Sequence, residues 1–312
     1  MCGINHLAGL DLPVDALAGL TSDEREVLAT FRRQYDLHRR RKKREKKKTL
    51  ADVRLATLEP AYEYLEDLPE SGWRPVDDIT LYRYLCADRH KDGSFDLDAS
   101  HQRLLGAMQF RREYSCDLIV KNVLSNSIPP NVGKCRTFKV GIYAGTDCNH
   151  RPVVFERLGE FFGSGNSQRA SEEDWITTYL YFLETHFAKM RESAKEHNVP
   201  VQKIMYYADF SGINSAILSG KIWSSIGLMH KIVKLVECHY PEIVEKITLF
   251  KVPFIMSASF NAVKGFLDPT TAGKIELFSG VPLNRFLDTM SEENIPVEYG
   301  GKNEIEYPTT CY

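Results

Sequence analysis

Three polar residues in the C-terminal part of the chain could together bind a ligand that carries hydroxyl groups and a phosphate. The carboxylate of Glu242 accepts hydrogen bonds from hydroxyls, the hydroxyl of Thr271 donates and accepts, and the ammonium group of Lys274 pairs with a phosphate. Two simpler interpretations stay open. Pro241 and Glu242 would also start a helix well, because proline suits the first helical position and a carboxylate is favourable there. Lys274 could be an ordinary surface lysine.

The other candidate groups do not support catalysis or metal binding. Cys148 and His150 are two residues apart, a spacing that rarely unites a nucleophile with its base, and no orienting acid follows them. The segment from Asp88 to Ala99 resembles a calcium-binding loop but ends in alanine where such loops carry glutamate. The seven cysteines are odd in number and form no CxxC pair. The sequence therefore predicts a protein that is not an enzyme and holds neither a metal nor a cofactor.

The order of apolar patterns predicts a helical first part and an α/β second part. Before Lys134 the periodicity is helical, starting with a capping box at Thr21 to Glu24. After Lys134, short β-rich runs alternate with helices, which predicts a sheet with helices packed against it. We expect a helical extension with a basic tract over 1–50, a helical domain over 51–133 and an α/β domain over 134–312. The expected strands cover 137–143, 152–158, 203–210, 247–252 and 274–278.

Composition and length fit an intracellular protein without a membrane span. The 312 residues, of which 43% are hydrophobic and 26% charged, can bury a substantial core. No apolar run approaches the roughly 18 residues of a membrane-spanning helix, and the N-terminus lacks the basic-then-apolar pattern of a secretory signal. We therefore expect a cytoplasmic protein.

A short basic tract contrasts with the nearly neutral chain as a whole. Nine of the ten residues from Arg39 to Lys48 are basic, whereas the net charge of the chain is −2. The tract could be a solvated helix end or a disordered connector. It could instead contact an anionic membrane, where each basic residue contributes about 1 kcal/mol, or serve nuclear import or nucleic-acid binding, although it lacks the aromatic residues that stack on single strands. The residues expected at a membrane are Arg39, Arg40, Arg41, Lys42, Lys43 and Arg44.

Six short motifs, in order along the chain, resemble those of one protein family. They are Arg151 to Glu156, Asp209 to Gly212, Tyr240-Pro241-Glu242, Phe266 to Pro269, Thr271 with Lys274, and Pro296 to Gly301. Together they resemble the CRAL-TRIO family of lipid-binding and lipid-transfer proteins, in particular its phosphatidylinositol-transfer branch, in which the glutamate and the lysine are likewise 32 residues apart. The resemblance implies a mixed, mostly parallel sheet flanked by helices, preceded by an all-helical domain.

The same resemblance implies where a lipid head group binds. It places Glu242, Thr271 and Lys274 at the head group of phosphatidylinositol. In that branch an arginine from the helical domain completes the site, but the equivalent position in this chain is Asp88. Arg89, which follows at once, is expected to substitute for it.

Three further positions depart from the family pattern or leave a choice open. Arg83 is the alternative to the arginine just named. Where the family binds phosphatidylcholine through serine and threonine, this chain has Ile204 and Tyr206. We therefore expect its second ligand to be a different lipid.

A lipid carrier needs an apolar cavity with a movable wall, because each buried methylene is worth roughly 0.8 kcal/mol. The resemblance implies a gate helix after the fourth strand, where Pro253 leads into an apolar segment, Ser257 to Leu267, that ends at Asp268-Pro269. An ordinary amphipathic core helix is the alternative. The residues expected in the acyl cavity and gate are Phe254, Phe260, Val263, Phe266 and Leu267.

The resemblance implies a protein that binds a phospholipid, above all phosphatidylinositol, in an internal cavity and transfers or presents it between membranes. The alternative is an adaptor that uses the same fold at a membrane to regulate a partner without transferring lipid. We expect a monomer that contacts anionic membranes transiently, binds no nucleic acid, and carries a phospholipid ligand in place of a cofactor.

Overall fold

A computed structural model describes residues 17, 19–52, 78–90, 92–136, 141–163, 169–218, 220, 222–254, 269–305 and 307. The chain divides into two compact units, Met1–Leu105 and Gly106–Tyr312. The domain boundaries expected after residues 50 and 133 stay predictions.

The described part of the first unit is helical. It contains α1 (Ser22–Asp52), α2 (Asp78–Ala87) and the first part of α3 (Leu97–Glu113). The predicted capping box is confirmed, because the backbone N–H of Thr21 donates to Glu24 Oε2 (3.0 Å) and that of Glu24 donates to Thr21 Oγ1 (3.2 Å). Apolar side chains spaced three and four residues apart form the core of this unit. The buried ones are Leu28, Phe31, Tyr35, Leu81, Tyr84, Leu85 and Leu104.

The second unit contains the remaining helices of the described residues. They are the rest of α3, α4 (Cys116–Leu124), α5 (Pro130–Arg136), α6 (Leu158–Gly163), α7 (Glu172–His197), α8 (Ile213–Leu218), α9 (Ile222–His239), α10 (Pro269–Gly273) and α11 (Leu283–Leu287). Two short 3-10 turns, Glu292–Asn294 and Val297–Tyr299, follow α11.

A five-stranded sheet, in the order β1-β2-β3-β4-β5, forms the centre of the second unit. β1 pairs with β2 antiparallel, and β2 to β5 pair in parallel. The predicted mixed, mostly parallel sheet flanked by helices is therefore confirmed. The strands are β1 (Gly141–Thr146), β2 (Pro152–Glu156), β3 (Ile204–Asp209), β4 (Val244–Phe250) and β5 (Ile275–Leu277). The first strand was expected over 137–143, of which 137–140 lie outside the described residues.

Both faces of the sheet are covered. On one face, the rings of Phe155 and Tyr207 stack with centroids 4.9 Å apart, and Phe286 of α11 meets Tyr207 edge to face at 5.0 Å. Side chains alternate along a strand, so Ala208 faces the opposite way and packs against helices. This second cluster includes Phe161, Trp175, Phe210, Ile213, Leu228 and Ile232.

The motif from Pro296 to Gly301 requires both of its glycines. Gly300 has a φ of 93°, a backbone conformation that favours glycine. A Cβ on Gly301 would overlap with the carbonyl oxygen of Ile295. The backbone is that close because Asn303 N–H donates to the same carbonyl (2.9 Å) and closes the turn.

Candidate functional site

The candidate head-group residues lie at one edge of the sheet. Because β3, β4 and β5 are parallel neighbours, the residues that precede them meet at the amino-terminal edge. Lys203 immediately precedes β3, Glu242 lies two residues before β4, and Lys274 immediately precedes β5. The sheet therefore joins positions that are far apart in sequence.

Glu242 and Lys274 form an ion pair. Lys274 Nζ donates to both carboxylate oxygens of Glu242 at 3.0 Å, and the two side chains are 18% and 16% exposed, respectively. Thr271 lies one turn before Lys274, since the Lys274 backbone N–H donates to the Thr271 carbonyl oxygen at 3.1 Å. The three predicted residues thus lie in one small region that offers acceptors, a hydroxyl and a cation.

The interpretation of Pro241 and Glu242 as a helix start is wrong. α9 ends at His239, and β4 begins only two residues after Glu242. Proline cannot continue the preceding helix, and Glu242 adopts a φ of 57°, the left-handed conformation that commonly reverses a chain after a helix. The motif therefore ends one helix and turns the chain into the sheet.

A second lysine, which the sequence did not single out, contacts the same carboxylate. Lys203 Nζ lies 3.3 Å from Glu242 Oε2 and 3.2 Å from Glu245 Oε2. Arg151 extends the network, with Nη1 2.8 Å from Glu245 Oε1 and Nε 2.7 Å from Asp147 Oδ2. One signal was present in the sequence, because Lys203 precedes a strand just as the predicted head-group lysine does.

The charges of this network act on Glu245. Burial raises the pKa of its carboxyl, but the ammonium group of Lys203 and the guanidinium group of Arg151 lower it by more, so the pKa falls below its ordinary value of 4.5. Glu245 is therefore ionised at neutral pH and holds both cations in place.

Tyr240 anchors the turn that contains Glu242 through a buried hydrogen bond. This tyrosine is 4% exposed, and its hydroxyl donates to Glu184 Oε1 at 2.9 Å. Arg111 Nη1 donates to the same oxygen at 2.6 Å. Burial raises the pKa of Tyr240 well above its ordinary value, so the hydroxyl remains a neutral donor. The buried hydrogen bonds hold the end of α9 against α3 and α7.

Arg89, the expected substitute for the missing arginine, lies in the first unit and has local partners. Its Nε donates to the Gly93 carbonyl oxygen at 2.9 Å, and its Nη2 lies 3.3 Å from Glu24 Oε1. Its guanidinium group also lies over the ring of Phe95, 4.8 Å from the centroid. Its role at a head group stays a prediction.

The two positions expected to differ from the phosphatidylcholine site are both in β3. Ile204 is buried, and the Tyr206 hydroxyl donates to the carboxylate of Glu156, which is 2% exposed. Burial raises the pKa of Tyr206 well above its ordinary value, so this hydroxyl is a neutral donor. An isoleucine and a tyrosine thus occupy the positions at which the resemblance leads one to expect serine and threonine, and the tyrosine is bound to a buried carboxylate.

Most of the predicted gate lies outside the described residues. Phe254 is described and is 87% exposed, whereas Phe260, Val263, Phe266 and Leu267 lie outside the described residues. The basic tract from Arg39 to Lys48 lies within α1, where the backbone is helical and the side chains are outside the description.

Two kinds of feature are absent from the described residues. No helix among them is both long and apolar enough to cross a membrane. They also contain no group of three or more His, Cys, Asp or Glu side chains arranged to hold a metal ion.

Comparison with known proteins assigns the fold to a class. The CRAL/TRIO domain model matches residues 137–301, which is more than half of the chain. The chain therefore belongs to the CRAL/TRIO family, whose members are lipid-binding and lipid-transfer proteins and not typical enzymes. The resemblance predicted from the sequence is thereby confirmed.

Individual relatives agree with this assignment. The SEC14 cytosolic factor of Candida glabrata is 26% identical over 250 residues, covering 77% of this chain and 76% of that protein. The Sec14 cytosolic factor of Schizosaccharomyces pombe is 25% identical over 227 residues, covering 72% and 75%. The crystal structure of Sfh5 aligns with a TM-score of 0.52 at 15% identity over 82% of each chain, which confirms the fold.

Proposed function

We propose that this protein binds a phospholipid with an inositol head group and transfers it between membranes. The observation that carries the proposal is the contact between Glu242 and Lys274, which sets a hydrogen-bond acceptor beside a cation at the amino-terminal edge of the sheet. An inositol ring offers hydroxyl donors to the carboxylate, and its phosphodiester accepts from an ammonium group.

Selectivity for this head group follows from the limited exposure of the pair. Both side chains are less than one fifth exposed, so their interactions with a ligand are screened less than those of surface charges. Thr271 adds a hydroxyl one turn away from the ammonium group. A choline head group also has a phosphate but lacks the ring hydroxyls, so it would make fewer hydrogen bonds with Glu242 and Thr271.

The acyl chains require a separate apolar environment. An 18-carbon chain left in water would cost on the order of 14 kcal/mol, so a carrier must enclose it. We propose that the segment from Ser257 to Leu267 is the movable wall, because proline residues bound it on both sides. The basic tract in α1 would hold the protein at an anionic membrane while a lipid enters or leaves.

A transfer assay tests the proposal. Donor vesicles contain fluorescent phosphatidylinositol or, in a parallel series, fluorescent phosphatidylcholine, and the signal that reaches acceptor vesicles is followed with and without protein. We expect catalytic amounts of protein to accelerate the movement of phosphatidylinositol well beyond that of phosphatidylcholine. Stable binding of phosphatidylinositol without any acceleration would instead support the adaptor that presents a lipid without transferring it.

A further inference from the structure

Lys274 has two roles that compete. In the proposed function it binds the lipid phosphate, yet in the structure its ammonium group donates to both oxygens of Glu242. If Lys274 turns toward a phosphate, it weakens its contacts with a carboxylate that is only 16% exposed. A partly buried carboxylate without a full partner is unfavourable, so the ion pair by itself opposes the binding of the lipid.

Lys203 is placed to relieve this conflict. Its ammonium group lies 3.3 Å from Glu242 Oε2, and Glu245 holds it from the other side at 3.2 Å. Glu245 is in turn fixed by Arg151 at 2.8 Å. The backbone is fixed as well, because Ile204, the next residue, donates its N–H to the Ile243 carbonyl oxygen at 3.0 Å. Lys203 therefore remains beside Glu242 whichever way Lys274 points.

We infer that Lys203 is a positioning residue of the head-group site: it neutralises Glu242 and thereby allows Lys274 to bind the lipid phosphate. The inference rests on the proposed function. Lys203 acts through Glu242 in this arrangement and does not itself contact the lipid. The ammonium group of Lys203 already contacts two carboxylates, and its side chain is 32% exposed. Lys274 contacts only the Glu242 carboxylate among these acids and is 18% exposed.

A double-mutant cycle distinguishes an indirect role from direct contact, because the coupling between two substitutions reports whether one side chain acts through the other. The variants are Lys203→Gln, Glu242→Gln and their combination. Lys246→Gln is the matched control, since Lys246 lies in the first half of β4, is 29% exposed, and pairs at 2.9 Å with Glu276 instead of Glu242. The measurement is the affinity for phosphatidylinositol in vesicles of phosphatidylcholine, with the unfolding temperature of each variant recorded.

We expect Lys203→Gln to weaken binding about five- to tenfold in the wild-type background but less than about twofold when Glu242 is already glutamine. Lys203→Arg should keep most of the wild-type affinity, because arginine preserves the positive charge. The control should bind like wild type. If Lys203 only stabilised the fold, Lys203→Gln would lower the unfolding temperature, and its effect on affinity would be the same with and without Glu242.

Two results would overturn the inference while leaving the proposed function standing. The first is an equal loss from Lys203→Gln in both backgrounds, which means that the side chain contacts the lipid or acts elsewhere. The second is wild-type affinity in Lys203→Gln. If the wild-type protein itself binds no phosphatidylinositol, the proposed function fails first and the inference fails with it.

Discussion

At Glu242, a left-handed backbone and two ammonium groups meet in one small volume. The carboxylate contacts two lysines, Lys203 and Lys274, which immediately precede the strands on either side of β4. Each strand thus contributes one charged group to the site. The site consequently depends on strand register as much as on residue identity.

Replacing the head-group lysine tests its role directly. Lys274→Ala should weaken the binding of phosphatidylinositol by about ten- to a hundredfold, because a charge-assisted hydrogen bond contributes roughly 1.5 to 3 kcal/mol. Folding should be preserved, since Lys203 still neutralises Glu242. Binding is measured with fluorescent lipid, and Lys231→Ala, which removes a lysine paired with Glu172 on the surface, serves as the control. Unchanged affinity in Lys274→Ala would remove this residue from the site.

The ion pairs around Glu276 give stability that depends on pH. A hydrogen bond from Arg285 lowers the pKa of Glu276, burial opposes this shift, and Lys246 lowers the pKa further. The folded-state pKa is therefore below the ordinary value of 4.5, so the stabilisation is complete above pH 4.5 and is lost as pH falls through the folded-state pKa. At 34% exposure, screening limits it to roughly 0.5 to 1 kcal/mol.

Glu276→Gln should therefore be less stable than wild type at pH 7, and the difference should shrink as the pH falls below 4.5. Urea unfolding at a series of pH values measures it. A stability difference that is constant across this range would contradict the assignment of the lowered pKa to Glu276.

At the scale of helices and strands, the sequence predicted most of the architecture. The predicted bounds of the second to fifth strands agree with the observed bounds within a few residues. These strands were predictable because a short apolar, β-rich run between long amphipathic helices is typical of a buried strand. The capping box at Thr21 and Glu24 was correct because its chemistry is local. The helix start at Pro241 was wrong because the direction of the chain there is set by the pairing of β4 with β3.

The site residues that the sequence did not predict were missed for one physical reason. Lys203 reaches Glu242 only because β3 and β4 are neighbours, and the charges of Lys203 and Arg151 meet at Glu245 through the same sheet. The position of Lys203 before a strand was visible in the sequence, but the partner strand that brings it to Glu242 was not. Glu242 and Lys274 were found because the family resemblance supplied their 32-residue spacing, which periodicity alone does not.

The terminal turn offers a test at the scale of an element. Gly301→Ala should destabilise the protein by about 1 to 3 kcal/mol, because the added Cβ overlaps with the Ile295 carbonyl oxygen and the turn must shift. Gly280→Ala is the control, since a Cβ there meets nothing within 4 Å. Denaturant unfolding measures both variants. Equal stability of the two would show that the turn adapts without cost.

The basic tract of α1 provides a second test at this scale. Replacing the basic residues from Arg39 to Lys48 by glutamine should reduce binding to phosphatidylserine-rich vesicles. The loss should shrink as the salt concentration rises, because a Debye length of about 8 Å at physiological ionic strength leaves little long-range attraction. Cosedimentation with vesicles measures it, and neutral vesicles are the control. An equal loss on neutral and anionic vesicles would argue against a membrane role.

At the scale of the whole molecule, the second unit contains the sheet and the ion pair of Glu242 with Lys274, and the family match lies within it. The first unit contributes the basic helix and Arg89. The family resemblance places Asp88 where an arginine is expected, and in the structure Asp88 pairs with Arg103 at 2.7 Å. The proposed head-group residues Glu242, Thr271 and Lys274 therefore lie in the second unit, and the role of Arg89 stays a prediction.

The measurement that tests the central claim most directly is the identity of the lipid that copurifies with the protein. The protein is purified from eukaryotic cells without detergent, its lipid is extracted, and mass spectrometry compares that lipid with the total lipid of the same cells. We predict close to one phospholipid per chain, with phosphatidylinositol strongly enriched over its cellular share. Protein that carries no phospholipid, or one whose composition matches that of the cell, would contradict the account.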